Sequence, residues 1–278
     1  MYVRRIRNKM IKTQKIIKYC AIAFAIFLTF SIISSIMFGI MSIGNIFDNN
    51  DSNITDNLET LKVSNNIQEL DINVKSINII IKESSNFKIE TNNKYIKLRE
   101  KNDKLSITEE KHNLFNNTDS SLIIYLPSDY LFNEVSIENG AGKIEIDKFS
   151  TKKINLDLGA GKVEIQNLNV TNETEIDGGA GEIVIENGTI TNLDLDMGVG
   201  NLTLNASLIG NNEIDAGIGE IALTLNETLD NYKIKINECL GNATLNEEKM
   251  KNDIYYGTGS NTINIDGGIG NIKIKYSR

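Results

Sequence analysis

Six carboxylates recur at one position of a glycine repeat, and they are the residues of this sequence best placed to do chemistry. Each lies two residues before a Gly-x-Gly triplet, as Asp157 does before Gly159. A row of carboxylates can bind a divalent cation through its oxygens or attract a basic polypeptide through its charge. We call the row the acid ladder, and its members are Glu138, Asp157, Asp177, Asp196, Asp215 and Asp266.

The acid ladder also has a purely structural interpretation. If successive repeats stack as strands about 4.8 Å apart, neighbouring carboxylates repel each other by about 1 kcal/mol in bulk water. An Asp two residues before a glycine bend commonly accepts a hydrogen bond from a turn amide, and that bond relieves the repulsion. We favour this local relief over a bound cation. The sequence therefore predicts no cofactor and leaves the acid ladder as its candidate metal site.

Glycine corners are the elements that position the acid ladder. The first five Gly-x-Gly corners follow one another at intervals of 19, 20, 19 and 19 residues, which is typical of stacked repeats. The second glycine of each corner predicts a positive φ or a tight bulge, because only glycine adopts that conformation without a Cβ clash. The corner glycines are Gly140, Gly142, Gly159, Gly161, Gly179, Gly181, Gly198, Gly200, Gly217, Gly219, Gly268 and Gly270, with Gly241 in a weakened copy that begins at Cys239.

Apolar and polar residues alternate on both sides of most corners, which is typical of half-buried strands. We predict an all-β, single-stranded, right-handed β-solenoid of about 20 residues per coil over residues 67–278. The residue between the two glycines is apolar too, and we assign it to the interior. The next inward residue then follows after an odd number of residues, so the alternation of inward and outward side chains shifts by one. The chain must bend where this shift occurs. The expected inner ladders are Ile137, Leu156, Ile176, Leu195, Ile214 and Ile265, and Ile144, Val163, Ile183, Leu202, Ile221 and Ile272. The expected anchors that close the coils are Phe149, Leu168, Val170, Ile190 and Ile209.

Short apolar runs before the first corner predict further strands. The runs are bounded by Asn- and Ser-rich turns and are mostly spaced about ten residues apart, an all-β pattern. Pro127 directly follows the last run and would terminate it. The predicted strands are 70–74, 77–81, 87–89, 95–98, 105–107 and 122–126.

The N-terminus predicts a membrane anchor. Residues 1–18 carry seven Lys and Arg and no acid, and residues 19–47 carry no charge. Such a span is long enough for a transmembrane helix, which takes roughly 20 apolar residues; a cleaved signal peptide, with an apolar core of about 7–15 residues, is the alternative. Positive charge before the span places the N-terminus in the cytoplasm. We therefore predict a single-pass protein of the cell membrane, with a polar linker over 48–66 and an extracytoplasmic domain over 67–278.

Charge and composition argue against several classes of function. Removing the seven N-terminal cations from 29 Lys and Arg leaves 22 against 37 Asp and Glu, a formal charge of −15. That charge disfavours nucleic acid or an anionic lipid surface as a partner. The single histidine, His112, has no second His or nearby Cys with which to form a typical metal site, and Cys20 and Cys239 are isolated. A polysaccharide-active β-helix enzyme would need two carboxylates around a cleft, and no inserted loop or Trp is present to build one, so we predict no enzyme and no small-molecule substrate.

A family resemblance adds to this interpretation. Residues 70–82, the step Leu126-Pro127 and the repeated corners from Gly140 onward resemble the bacterial toast-rack domain, a domain of unknown function in proposed adhesins. The resemblance covers roughly residues 65–278 and implies a β-helix of a bacterial envelope protein, without catalytic residues. With the predicted anchor, it implies a non-catalytic scaffold or sensor in envelope-stress signalling, whose partners are the membrane and other envelope proteins. A surface adhesin or carbohydrate-binding protein is the alternative.

Overall fold

The computed structural model describes residues 54–64, 66–110 and 120–276, which form an all-β structure. These residues belong to the second of two units of the chain, Asp51–Arg278. The strands before the corners are β1 (Ile54–Leu61), β2 (Glu69–Ser76), β3 (Asn78–Glu83), β4 (Lys88–Asn93), β5 (Ile96–Lys101), β6 (Lys104–Glu109) and β7 (Ser121–Leu126). The strands that follow are β8 (Phe132–Ile146), β9 (Phe149–Ile165), β10 (Leu168–Ile185), β11 (Gly188–Thr191), β12 (Leu193–Ile209), β13 (Asn211–Leu225), β14 (Tyr232–Leu240), β15 (Ala243–Leu245), β16 (Glu248–Lys249), β17 (Tyr255–Tyr256) and β18 (Asn261–Tyr276), with a 3₁₀ turn at Leu229–Asn231.

The glycine corners stack as the repeat predicts. β8, β9, β10, β12 and β13 lie side by side as parallel strands, and each passes through its corner as one bent strand. Gly161, for example, pairs with Gly142 on one side and with Gly181 on the other. The short strand β11 continues the ladder between β10 and β12. The all-β class and the stacked repeat are therefore confirmed.

Close backbone contact explains why the second glycine of a corner carries no side chain. In six corners this glycine has a φ between +124° and +159°, a conformation that L side chains rarely adopt. A Cβ on Gly181 would lie 1.8 Å from the carbonyl oxygen of Gly161 in the adjacent coil. The weakened corner differs, because Gly241 has no positive φ although a Cβ there would lie 1.6 Å from the Gly270 oxygen. The predicted φ is thus confirmed in six corners, and only the close approach is found in the seventh.

The core is built from the two predicted inner ladders. All twelve of their residues are buried, and Leu195, Ile214 and Ile265 are 0% exposed. The predicted anchors are buried as well, with one exception. Ile209 is 36% exposed, and Leu208 beside it is buried instead. The prediction for Ile209 was wrong because two adjacent apolar residues in a strand lie on opposite faces and only one of them can point inward.

The residue between the two glycines does not point inward, contrary to the prediction. Ile218 and Ile269 are 45% and 53% exposed, whereas Ala216, just before its corner, is 6% exposed. The alternation of inward and outward side chains therefore shifts by one residue between Ala216, just before the first glycine, and the buried Ile221. Both glycines and the residue between them form the outside of the bend.

The coils do not stack in chain order at the C-terminal end. β18 pairs with β13 on one side and with β14 on the other, so the last strand lies between two strands that precede it. Ile265 accordingly pairs with both Ile214 and Ile236. The weakened corner thus lies at the end of the ladder, which corrects the order expected from stacking of successive coils. The antiparallel strands β16 and β17 pair with β15 and β14 at this end.

The N-terminal end has a similar inversion. β2 and β3 form a coil without a glycine corner, and this coil lies between β8 and the pair β6 and β7. β5, β4 and β1 add antiparallel strands there, which blunt the parallel edge. The six predicted runs coincide with β2 to β7. β1, however, occupies 54–61, so the sheet begins inside the predicted linker over 48–66.

Three predictions fall outside the described residues. They are the basic segment 1–18, the transmembrane helix over 19–47 and the prediction that His112, which we expect in an exposed polar turn, forms no typical metal site. In the described ranges, no helix is long and apolar enough to cross a membrane. The membrane anchor therefore stays a prediction.

Candidate functional site: the acid ladder and the glycine corners

The strand register aligns the acid ladder into one continuous row. Each member pairs with the next across adjacent strands. The row extends further than the sequence predicts, because Glu238 pairs with Asp266 at a bulge where Asn237 has no partner in β18. At the other end Asn73 pairs with Glu138 and donates a hydrogen bond to its carboxylate. The acid ladder therefore runs from the glycine-free coil to the last rung of the solenoid.

The hydrogen bonds from turn amides that we expected to relieve the repulsion between carboxylates are not found at two ladder residues, Asp177 and Asp215. Asp177 and Asp215 are exposed, and neighbouring acids rather than hydrogen-bond donors are the groups that act on them. Among the described residues, the lysines that form ion pairs bind other acids, and none pairs with the ladder. The prediction of local relief is therefore wrong for Asp177 and Asp215, and the ladder is a row of uncompensated negative charge.

Lost hydration and mutual repulsion raise the pKa of two ladder carboxyls. Packing against the neighbouring coils, followed by the charges of Asp196 and Asp157, raises the pKa of Asp177 above its ordinary value of 3.8. Lost hydration, followed by the charges of Asp196 and Asp266, raises the pKa of Asp215 in the same direction. The folded state thus holds these protons more tightly than the unfolded chain. The free energy of unfolding should rise as the pH falls through the raised pKa values and level off below the ordinary value.

Asp177→Asn is expected to raise the melting temperature at neutral pH by roughly 2 °C, because it removes a repelling charge from the middle of the row. The gain should shrink as the pH falls from 7 to the ordinary carboxyl value of 3.8, because the wild-type carboxyl takes up its proton over this range. Thermal unfolding followed by circular dichroism at both pH values measures the effect. Glu220→Gln is the control, since its carboxylate lies 2.6 Å from Lys273 Nζ and its removal should give no gain. A lower melting temperature for Asp177→Asn at neutral pH would contradict the repulsion.

Ion pairs neutralise the outer face on the other side of the corners. Lys143 and Lys162, in adjacent coils, both reach the Glu164 carboxylate, at 2.6 and 2.7 Å. Lys162 also lies 3.0 Å from Glu182, and its hydrogen bonds to the two glutamates raise its pKa to about 12. The mixed residue types three positions after the first glycine predict only a solvated face. The sequence did contain a signal for ion pairs, because a Lys three residues and a Glu five residues after the same glycine occur in two adjacent repeats. In contrast to the carboxylates of the acid ladder, these glutamates each have a lysine partner.

Apolar side chains that are exposed or partly exposed form a second continuous row, at the middle residue of each corner. The register holds through the inverted end, where Ile269 pairs with Ile218 on one side and with Leu240 on the other. Leu240, on the last rung, is 75% exposed. We call this row the corner ridge, and its members are Ala141, Ala160, Ala180, Val199, Ile218, Ile269 and Leu240. Sequence reasoning missed the ridge because it treated every regularly spaced apolar residue as part of the interior.

An open groove of about 740 Å³ runs along the acid ladder, and its lining ends at the first glycines of the corners, one residue before the corner ridge. Its acidic wall extends from Asp157 to Asp266. Gly198, Gly217 and Gly268 are among the first glycines that line it. Because these glycines carry no side chains, the floor of the groove is bare backbone that a ligand can approach closely.

The stacked corners and the strands before them lie in a region that matches a known protein family. A model of the Toastrack DUF4097 family matches residues 67–265. This chain belongs to the Toastrack DUF4097 family. The match runs from just before β2 into β18 and includes every member of the acid ladder except Asp266.

The solved structures that match the chain include proteins from three bacteria, and each match covers most of the toast-rack chain. A proposed adhesin from Bacteroides fragilis is 16% identical, with 79% of this chain and 98% of that chain covered and a TM-score of 0.46. A proposed cell adhesion protein from Clostridium sporogenes is 18% identical, with coverages of 80% and 99% and a TM-score of 0.35. A proposed lipid binding protein from Parabacteroides distasonis is 14% identical, with coverages of 81% and 98% and a TM-score of 0.27. A search of curated proteins found no match.

The remaining candidates for chemistry in the described toast-rack coils are metal-ligating side chains and the thiol of Cys239. In the part of the chain that the structure describes, no three His, Cys, Asp or Glu side chains are grouped to hold a metal ion. Cys239 is a free, partly buried thiol whose Sγ lies 3.6 Å from the Gly270 oxygen. Burial raises the pKa of this thiol, which disfavours the reactive thiolate. The groups that the described coils present at the site are the charges of the acid ladder and the apolar side chains of the corner ridge.

Proposed function

We propose that this toast-rack domain is the non-catalytic, extracytoplasmic part of a single-pass membrane protein that acts as a scaffold or sensor in bacterial envelope-stress signalling. The observation that carries the proposal is the uniform outer surface of the coils. β8 ends at Ile146 and β9 begins at Phe149, and β9 ends at Ile165 before β10 begins at Leu168. Connections this short leave no loop to wall off a catalytic cleft. The same charged and apolar groups instead repeat from rung to rung, a surface suited to an extended partner.

The short tether favours a scaffold or sensor over a surface adhesin. The predicted span ends near residue 47 and β1 begins at Ile54, so the proposed tether is about six residues rather than the roughly twenty of the predicted linker. At no more than about 3.5 Å per residue, six residues reach roughly 20 Å. An adhesin would have to extend past the cell wall to meet its target. A domain held this close is better placed to contact membrane proteins.

The proposed placement predicts that external protease digests the domain in intact protoplasts. The full chain, with an epitope tag after Arg278, would be expressed in the bacterium that encodes it. We expect loss of the tag signal within the time in which a cytoplasmic control protein remains intact. Protection of the tag until the membrane is permeabilised would contradict the extracytoplasmic placement.

The proposed role is tested in a strain that lacks the gene. We expect the strain without the gene to differ from the parent in how strongly a cell-wall inhibitor induces its envelope-stress genes. The full chain should restore the parental response, and a chain without residues 1–47 should not. An unchanged stress response together with reduced adherence to surfaces would favour the adhesin.

A further inference from the structure

We propose that the groove along the acid ladder, together with the adjacent corner ridge, binds a basic amphipathic helix of a partner protein. The inference names a class of partner for the scaffold role and rests on that role. It stands on three features of the last four rungs of the coil stack. They are an apolar row that is partly exposed at Val199 and exposed on the other three rungs, a parallel acidic row without counter-charges, and the spacing between the two rows.

The apolar row is most developed at the C-terminal end. Its members grow from alanine in the first three corners to Val199, Ile218, Ile269 and Leu240 in the last four. Exposure increases in the same direction, from 45% at Ile218 to 53% at Ile269 and 75% at Leu240. Isolated exposed apolar residues are ordinary, but a contiguous exposed row marks an interaction surface. With rungs about 4.8 Å apart, the four residues extend over roughly 14 Å.

The acidic row runs beside these four residues. Asp196, Asp215, Asp266 and Glu238 occupy the same four rungs. In the described contacts no lysine or arginine pairs with any of them, although lysines neutralise Glu164 on the other side of the corners. Complementary charge favours association and like charge opposes it. The partner must therefore present cations beside apolar side chains, and neither a second copy of this acidic face nor an anionic membrane meets that requirement.

The dimensions favour a helix over an extended strand. An acid and the ridge residue of the same corner are three residues apart, which is at most about 10 Å along a strand and close to the 10–12 Å diameter of a helix. The rung spacing of about 4.8 Å is near the helix pitch of 5.4 Å, whereas side chains on one face of a strand repeat at about 6.8 Å. About ten helical residues cover the four rungs. The glycine floor at Gly198, Gly217 and Gly268 leaves room for the helix backbone.

The test is binding of a designed probe to the full chain in phosphatidylcholine nanodiscs. The probe is a 14-residue amphipathic peptide with lysines on one side and leucines on the adjacent side, and empty nanodiscs provide the baseline. We expect dissociation constants in the micromolar range that weaken as salt is added. Asp215→Asn with Asp266→Asn should weaken binding at least about tenfold, and Ile218→Ser with Ile269→Ser should do the same.

Matched controls distinguish binding at the groove from nonspecific binding through surface charge or apolar surface elsewhere. Glu83→Gln with Asp129→Asn removes two exposed acids elsewhere, and Leu131→Ser removes an apolar side chain that is 51% exposed; neither should change binding more than about twofold. Melting temperatures of all variants identify any that fail to fold, and for those Asp215→Asn alone and Ile218→Ser alone replace the double variants.

Several outcomes would overturn the inference. They are equal binding of a scrambled peptide of the same composition, tighter binding of anionic vesicles than of the peptide, self-association that Ile218→Ser abolishes, or the absence of peptide binding. The absence of binding with an intact effect of gene deletion on envelope stress would reject the helix partner and leave the proposed function standing. Binding with no effect of gene deletion would reject the proposed function and leave the groove as a binding site.

Discussion

Gly181→Val is expected to destabilise the protein by at least about 4 kcal/mol, enough to unfold the coils around it at ordinary temperatures. Two physical effects add. The glycine has a φ of +150°, which costs a valine about 1–3 kcal/mol, and its Cβ would lie 1.8 Å from the Gly161 oxygen. The clashing atom belongs to the backbone of the adjacent coil, so no side chain can move aside. Urea unfolding of the full chain, followed by circular dichroism, measures the change.

Ala180→Val is the matched control for this prediction. It adds the same side chain one residue earlier, on the corner ridge, where the next coil already carries Val199 in register. We expect a change of no more than about 0.5 kcal/mol, as for an ordinary surface substitution. Equal destabilisation by the two valines would mean that the close glycine stack does not govern the corner.

The corners and the inner ladders could be predicted from the sequence because two local rules determine them. Period-two alternation assigns Leu195 and Leu202 to the interior wherever the strand is regular, and glycine at a fixed position marks a backbone that a Cβ would obstruct. The alignment of the acid ladder follows from the same regularity, since equal repeat lengths bring Asp196 beside Asp215. Both results depend only on the pattern within each repeat and on the nearly constant length of successive repeats.

The order of the coils could not be predicted because the repeat does not encode it. Any coil with the same apolar pattern can stack on any other, so β18 fits between β13 and β14 as well as at the end. A clue was present in the sequence: β13 and β18 have intact corners and the copy at Cys239 is degenerate, as suits a terminal rung with a coil on one side only. The exposed ridge was missed for a related reason, because the apolar character of Ile218 does not say which side of a bend it occupies.

Ile265→Asp tests the inserted strand and is expected to cost at least about 4 kcal/mol. Ile265 is 0% exposed and pairs with Ile214 and Ile236 on both sides, so a carboxylate there would be buried without a partner. The neighbouring variant Asp266→Asn changes only the outer face and should be neutral or slightly stabilising. The free energy of unfolding of the full chain, from urea titrations at neutral pH, compares the two. A loss below about 1 kcal/mol for Ile265→Asp would contradict the burial of this residue between two strands.

A pair of cysteines distinguishes the inserted order from stacking in chain order. Asp215→Cys with Asp266→Cys joins in-register neighbours on adjacent strands, whose Cα atoms are about 4.8 Å apart and within the range of a disulfide. Asp215→Cys with Asn237→Cys spans two rungs, roughly 10 Å, and exceeds that range. With Cys20 and Cys239 replaced by serine, mild oxidation should cross-link the first pair and leave the second reduced. Stacking in chain order would give the opposite result, because β14 would then lie directly against β13.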